Sequence, residues 1–207
     1  MTLRRLHRLN ALVLGLFLVA HMLNHAVLVV GIEAHEAVME AMRMVYRIVP
    51  VEVALLTLLA VQIGLGLVLV WRRGRPQGGW AWAQVLSGLY LFVFQIQHVP
   101  AVLAARLMPD VPDTDVHFAA AVLSEPGFAI YFAPYYALAV LALFTHVAAA
   151  LRFARWPREA HAGHFALPVL GFALGLLVVL VLMGVIGEYG LPPEYAGYLD
   201  KFRWRSQ

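Results

Sequence analysis

The chain is expected to be an all-α integral membrane bundle of five transmembrane helices. Its 207 residues are 62% hydrophobic and 13% charged, whereas about 25% of residues are charged in a typical soluble domain. The mean hydropathy is +0.78. Five apolar stretches recur, each near the roughly 20 residues that a helix needs to cross about 30 Å of hydrocarbon. The basic residues alternate between the connections. These three observations exclude a soluble fold and make the bilayer the solvent.

The apolar stretches are roughly Leu9–Gly31, Val51–Trp71, Trp80–Leu107, Phe128–Leu151 and Phe165–Ile186. The basic start of MTLRRLHRLNALVLGLF could open a signal peptide. Its apolar run continues to Val30 with no small-residue cleavage site, so a retained first span is expected. Arg4, Arg5, Arg8, Arg72, Arg73, Arg75, Arg152, Arg155 and Arg158 fall on one side of the membrane, and eleven of the twelve acidic residues fall on the other. The positive-inside rule then places the N-terminus in the cytoplasm and the C-terminus outside. Trp71, Trp80, Trp82 and Trp156 gather at the cytoplasmic ends, where such rings anchor. The net charge of +3 is a consequence of topology and implies no nucleic-acid partner.

Two domains are delimited: the five-helix bundle over 1–187 and an extracytoplasmic tail over 188–207. In the tail, Pro192 and Pro193 argue against a continuous helix. The first outer connection, Ile32 to Pro50, reads as an interfacial amphipathic helix with Val38, Met39, Met42 and Val45 on one stripe. The fifth span has no ionisable residue and is expected to serve packing.

With no cysteine in the chain, disulfides, thiolate metal sites and iron–sulfur ligation are excluded. Any redox cofactor must be held by histidine or methionine. The first span places His21, Asn24 and His25 within hydrocarbon, where a polar group needs a partner. Hydrogen bonding between helices would satisfy them. Axial ligation of a haem by His21 is the sharper reading, with Asn24 and His25 in orienting or packing roles. The third span carries Ser87 and Gly88 early and Gln95, Gln97 and His98 late, with Pro100 freeing the carbonyl of Ile96. Both spans run outward, His21 roughly 18 Å and His98 roughly 27 Å from their starts, so both fall in the middle to outer half of the membrane. They are expected to face each other. The fourth span places His146 near the cytoplasmic surface at the level of Gln62 in the second span, whose Gly64 and Gly66 permit close approach. His161 and His164, in the fourth connection, read as solvated loop residues.

Four stretches, RRLHRLNALVLGLFLVAHMLNH, VEVALLTLLAVQIGLG, QVLSGLYLFVFQIQH and LSEPGFAIYFAPYYALAVLALFTHVAAAL, resemble the five-helix cytochrome b subunit of succinate dehydrogenase and fumarate reductase. HxxNH in the first, and Ser-Gly followed ten residues later by His in the third, carry the match. The resemblance implies a b-type haem held by His21 and His98 and an inner haem held in part by His146, with Ser87 and Gly88 in the cofactor-binding stretch. The other inner ligand of that pattern falls on Gln62. One haem is therefore favoured, and two remain open.

The resemblance also implies a flavoprotein and an iron–sulfur subunit on the cytoplasmic face, quinone as substrate, and residence in a bacterial cytoplasmic membrane. Glu52, at the outer mouth of the second span, is the candidate proton carrier for quinone, ahead of Glu36 and Glu40; an interfacial carboxylate is its plainer reading. Two other classes stay open. One is a non-redox anchor or assembly protein derived from the bundle, and the other is a cytochrome b of a different quinone-linked dehydrogenase, such as a hydrogenase or formate dehydrogenase.

Overall fold

A computed structural model describes residues 2–107, 111–154, 163–187 and 190–199, and within them the chain is all-helical. The order is α1 (Leu3–Val27), α2 (Ile32–Tyr46), α3 (Val49–Arg73), α4 (Gly79–Leu107), α5 (Val116–Ser124), α6 (Pro126–Phe153), α7 (Gly163–Leu182) and α8 (Pro193–Leu199). Five of these, α1, α3, α4, α6 and α7, are long and apolar enough to cross a membrane. The protein is thus a multi-pass helical membrane protein. The first span starts earlier than hydropathy suggests, because Thr2 caps α1 through its side chain and draws Arg4, Arg5 and Arg8 into the helix.

The α6–α7 pair is the most closely packed, followed by α4–α6 and then α1–α3. Gly171 and Gly175 explain the first. A Cβ at Gly175 would come 2.6 Å from the carbonyl oxygen of Ala137, and one at Gly171 would come 2.6 Å from Cβ of Phe144. Two small residues four apart let the backbones meet, which is how helices associate where lipid is as apolar as the side chains. The fifth span is therefore a packing helix, as expected, and the GFALG stretch is the reason.

The α4–α6 pair is also clasped by two tyrosines. Tyr90 donates to the carbonyl of Tyr135 at 3.1 Å, and the Tyr135 hydroxyl donates back to the carbonyl of Phe94, also at 3.1 Å. In Tyr135→Phe the second bond is lost, and the midpoint of thermal unfolding in detergent should fall by a few degrees, for a cost of about 1 kcal/mol.

Three connections meet at one end of the bundle. Gly31, at φ +144°, turns the chain from α1 into α2, a conformation that favours glycine. The expected stripe on α2 is only partly correct. Val38, Met39 and Met42 are half-buried, but Val45 is exposed and the buried residues are His35 and Arg43. Arg43 bonds Glu40 and the carbonyl of Thr114, so α2 is tied to the α4–α6 connection. Below the ties lies a core of Leu28, Val116, Ala120, Leu123, Val178, Val181 and Leu182. The helix α5, unforeseen in the sequence, is capped by Asp115 and supplies three of these residues. The first part of the tail forms α8, which begins at Pro193, and Tyr195 packs on Ala121 and donates to Asp115. Proline is well suited to the first position of a helix, so the Pro-Pro pair starts one here.

Arg47 grips Asp113 with two bonds, 2.7 and 2.8 Å, and this pairing holds the Asp113 carboxyl down at about 2. A lowered folded value means that the pair's contribution is present above the ordinary value near 3.8 and is lost as pH falls towards 2. Asp113 is 44% exposed, so water screens the pair. Asp113→Asn should cost at most about 1 kcal/mol at neutral pH, read as a small drop in unfolding midpoint.

Candidate functional site

The structure brings His21 of α1 and His98 of α4 together, with ring centroids 6.5 Å apart and planes at 61°. The two helices make no extensive backbone contact with each other, so the rings approach across the interior. Each ring is backed by a phenylalanine one turn earlier on its own helix. Phe17 stacks on His21 at 5.6 Å and Phe94 on His98 at 4.9 Å. The i, i+4 spacing puts both members of each pair on one helix face. The signal is visible as FLVAH and FQIQH, and hydropathy reading overlooks it.

Two imidazoles bound to one metal through nitrogens at about 2 Å would place their centroids about 6 Å apart. The 6.5 Å separation of the ring centroids is close to that spacing. Two more imidazoles continue the cluster. His25 lies with Nε2 3.3 Å from Nε2 of His21, and its ring is stacked with that of His35 at 6.0 Å. Asn24 is buried and bonds His35 Nε2 at 3.1 Å. His25 thus neighbours His21, whereas Asn24 is bonded to His35. His35, on α2, closes the cluster from outside the span. Burial holds the His35 imidazole below its ordinary value and favours the neutral form.

The second cluster lies in the other half of the bundle. Nδ1 of His146 is 3.1 Å from the carbonyl oxygen of Gln84 and 3.2 Å from Oγ of Ser87. A carbonyl only accepts, so Nδ1 carries the proton and Nε2 keeps its lone pair. Gly88 lies beneath the ring, where a Cβ would be 3.0 Å from Cε1. Ser87 and Gly88 therefore serve His146 and have no place beside His98. Gln62 is engaged elsewhere: its Oε1 accepts from Asn10 at 2.8 Å, and its Nε2 lies 3.2 Å from Nε2 of His7. Gln62, as an amide, is not an imidazole donor to His146, and its side chain is committed to Asn10 and His7.

Glu52 is held by Arg106 through both carboxylate oxygens, a tie between α3 and α4. This partner favours the structural reading of Glu52 over an open proton carrier. Glu40 pairs with Arg43, and Glu36 lies 3.5 Å from Nδ1 of His117. Glu36, Asp115 and His117 bring three donor atoms within 4.8 Å of one another. Asp115 is already committed, through one oxygen to the cap of α5 and through the other to Tyr195.

Gln97 accepts from the Tyr131 hydroxyl at 2.5 Å. His164 is buried in the first turn of α7, its ring 6.3 Å from that of Trp80, which corrects the expectation of a solvated loop residue. The helix begins two residues before Phe165 and carries His164 onto α4. His161, Arg155, Trp156 and Arg158 lie outside the described residues.

Fold and site together define a multi-pass membrane protein of five apolar helices with a histidine cluster in each half of the bundle. Comparison with family models, with curated proteins and with solved structures gives no match.

Proposed function

We propose that this chain is the membrane-anchor and haem b electron-transfer subunit of a succinate:quinone oxidoreductase, passing electrons between a cytoplasmic flavoprotein and iron–sulfur pair and membrane quinone. The observation that carries the reading is the His21–His98 pair, two imidazoles from separate spans at a separation suited to one shared metal. A haem held by two imidazoles has both axial positions filled, so it favours electron transfer over oxygen binding. The chain's own part is to position and enclose. Phe17 and Phe94 stack on the two rings, and His25 lies beside Nε2 of His21.

The engagement of Gln62 by Asn10 and His7 favours one haem over two. The resemblance in sequence supports the choice of complex, with the arginine-rich end of the bundle in a bacterial cytoplasm, where the partner subunits would dock. This chain presents no flavin or dicarboxylate site in its sequence, so oxidation of the acid belongs to the partners.

The test is a reduced-minus-oxidised spectrum of the purified chain with haem quantified per polypeptide, followed by co-purification of flavoprotein and iron–sulfur subunits from the native membrane. About one haem b per chain with both partners present is expected. A chain free of haem that still carries the partners would instead be a non-redox anchor. Haem with a hydrogenase or formate dehydrogenase as partner would assign it to another quinone-linked complex.

A further inference from the structure

We infer that the arginine-rich end of the bundle carries a site for an anionic phospholipid, in which Arg73 and Arg152 hold the headgroup phosphate and an apolar strip of α7 receives the acyl chains. This goes beyond the reading above and depends on neither haem nor quinone.

Charge gives the first indication. Nine arginines fall at this end of the bundle, and a single acidic residue, Glu159, falls with them. That surplus cannot be neutralised within the chain, so anions from outside must meet it. The other end differs, because there Arg43, Arg47 and Arg106 are paired with Glu40, Asp113 and Glu52.

Two of the nine arginines are positioned by neutral groups. Arg73, the last residue of α3, donates to Oε1 of Gln84 at 2.9 Å, and its guanidinium carbon lies 5.5 Å from the centroid of the Phe153 ring. The guanidinium carbon of Arg152 lies over the Trp80 ring at 5.2 Å. Contacts of this kind orient a guanidinium without cancelling its charge. Trp80 and Gln84 are one turn apart on one face of α4, while Arg152 and Phe153 are consecutive at the end of α6. The two cations are therefore anchored one helical turn apart along α4. Planar guanidinium forks match the oxygens of a phosphate diester.

The surroundings select a lipid over a soluble anion. Trp80 packs on Phe165, with ring centroids 5.0 Å apart. Val169 and Phe172 continue the same face of α7 at helical spacing, and the three residues are 60%, 68% and 58% exposed. This strip starts at the Trp80 ring and runs into the hydrocarbon. A molecule whose phosphate meets Arg152 thus has its chains beside Phe165. Trp71 and Trp82, both exposed, mark the headgroup level. A zwitterionic headgroup would bring a cation of its own to a site rich in arginine, so an anionic one is favoured.

The experiment is native mass spectrometry of the purified, delipidated full chain in detergent, titrated with dioleoyl phosphatidylglycerol or dioleoyl phosphatidylcholine. Phosphatidylglycerol should bind the more tightly. Arg73→Gln and Arg152→Gln should each weaken its binding about ten-fold, the worth of one hydrogen-bonded contact to a charged group, and leave phosphatidylcholine binding unchanged. Arg72→Gln removes the same charge from the neighbouring exposed residue and should bind nearly as the parent does. Equal losses in Arg72→Gln and Arg73→Gln overturn the site, because a diffuse basic surface would then suffice. Equal affinity of the parent for the two lipids overturns it as well. Displacement of phosphatidylglycerol by an equal concentration of inorganic phosphate would make this a soluble-anion site and remove the lipid. Normal phosphatidylglycerol binding in the double variant also overturns it, and loss of co-purifying protein subunits from that variant would assign the two arginines to docking. The expected pattern in a chain free of haem supports the lipid site and removes the electron-transfer reading. Arg73 is exposed at a helix end, so Arg73→Gln keeps the test decisive should Arg152→Gln fold poorly.

Discussion

His98→Ala is expected to remove the proposed b-type haem almost completely, lowering it from about one per chain to a trace while the helical content of the purified protein stays the same. The imidazole is one of two donors in the proposed site, and His21 alone would leave an axial position to water or to a neighbour. His21→Ala should have the same effect, with one difference. His25 lies one turn along α1 and within 3.3 Å of the lost nitrogen, so it is placed to substitute in part. A residual haem with an altered absorbance and potential is expected in His21→Ala and is not expected in His98→Ala, whose stacked neighbour is Phe94. Pyridine haemochrome assay and a redox titration of each variant check both statements. Full haem in His98→Ala would refute the pairing.

The second large effect concerns the fold. Gly175→Val should separate α6 from α7, because even the first carbon of the new side chain would lie 2.6 Å from a backbone oxygen that cannot turn aside. Overpacking of this kind costs typically about 1–3 kcal/mol, which for a chain of this size lowers the unfolding midpoint by roughly 2–12 °C. The matched control is Gly64→Ala in α3, where nothing lies within 4 Å of the added carbon. Alanine is the better helix former, so that variant should be neutral or slightly more stable. Thermal unfolding of both proteins in the same detergent measures the contrast. Equal midpoints would mean that the α6–α7 contact is unimportant to stability.

Several features of the site were legible in the sequence because they depend on depth and spacing alone. A histidine in an apolar run must find a partner, and two such histidines on spans that run the same way, at comparable depth, can meet. His21 and His98 do. The phenylalanines four residues before them were equally visible in FLVAH and FQIQH, as was the small-residue pair in GFALG. Other features were hidden for physical reasons. His7 sits among arginines at the start of the chain, where a histidine reads as solvated, and only the packing of α1 on α3 buries its Nδ1. His35 lies on a helix whose apolar stripe suggested that it merely floats at the interface. Its burial comes from α2 folding back over the end of α1. Gln62 read as a missing ligand because sequence aligns positions and cannot display hydrogen bonds.

The sequence by itself determined that this is a membrane protein of five spans, since length and hydropathy answer directly to the thickness and polarity of the bilayer. It also placed His21, His25, His98 and His146 in apolar runs. The tertiary structure decided which side chains meet: His21 with His98 and His25, His35 with Asn24, and His7 with Gln62. Rotation of each helix about its axis selects those contacts. That rotation is set by the fit of small residues, tyrosine clasps and side-chain amides between neighbouring helices, which no single span carries in its own sequence.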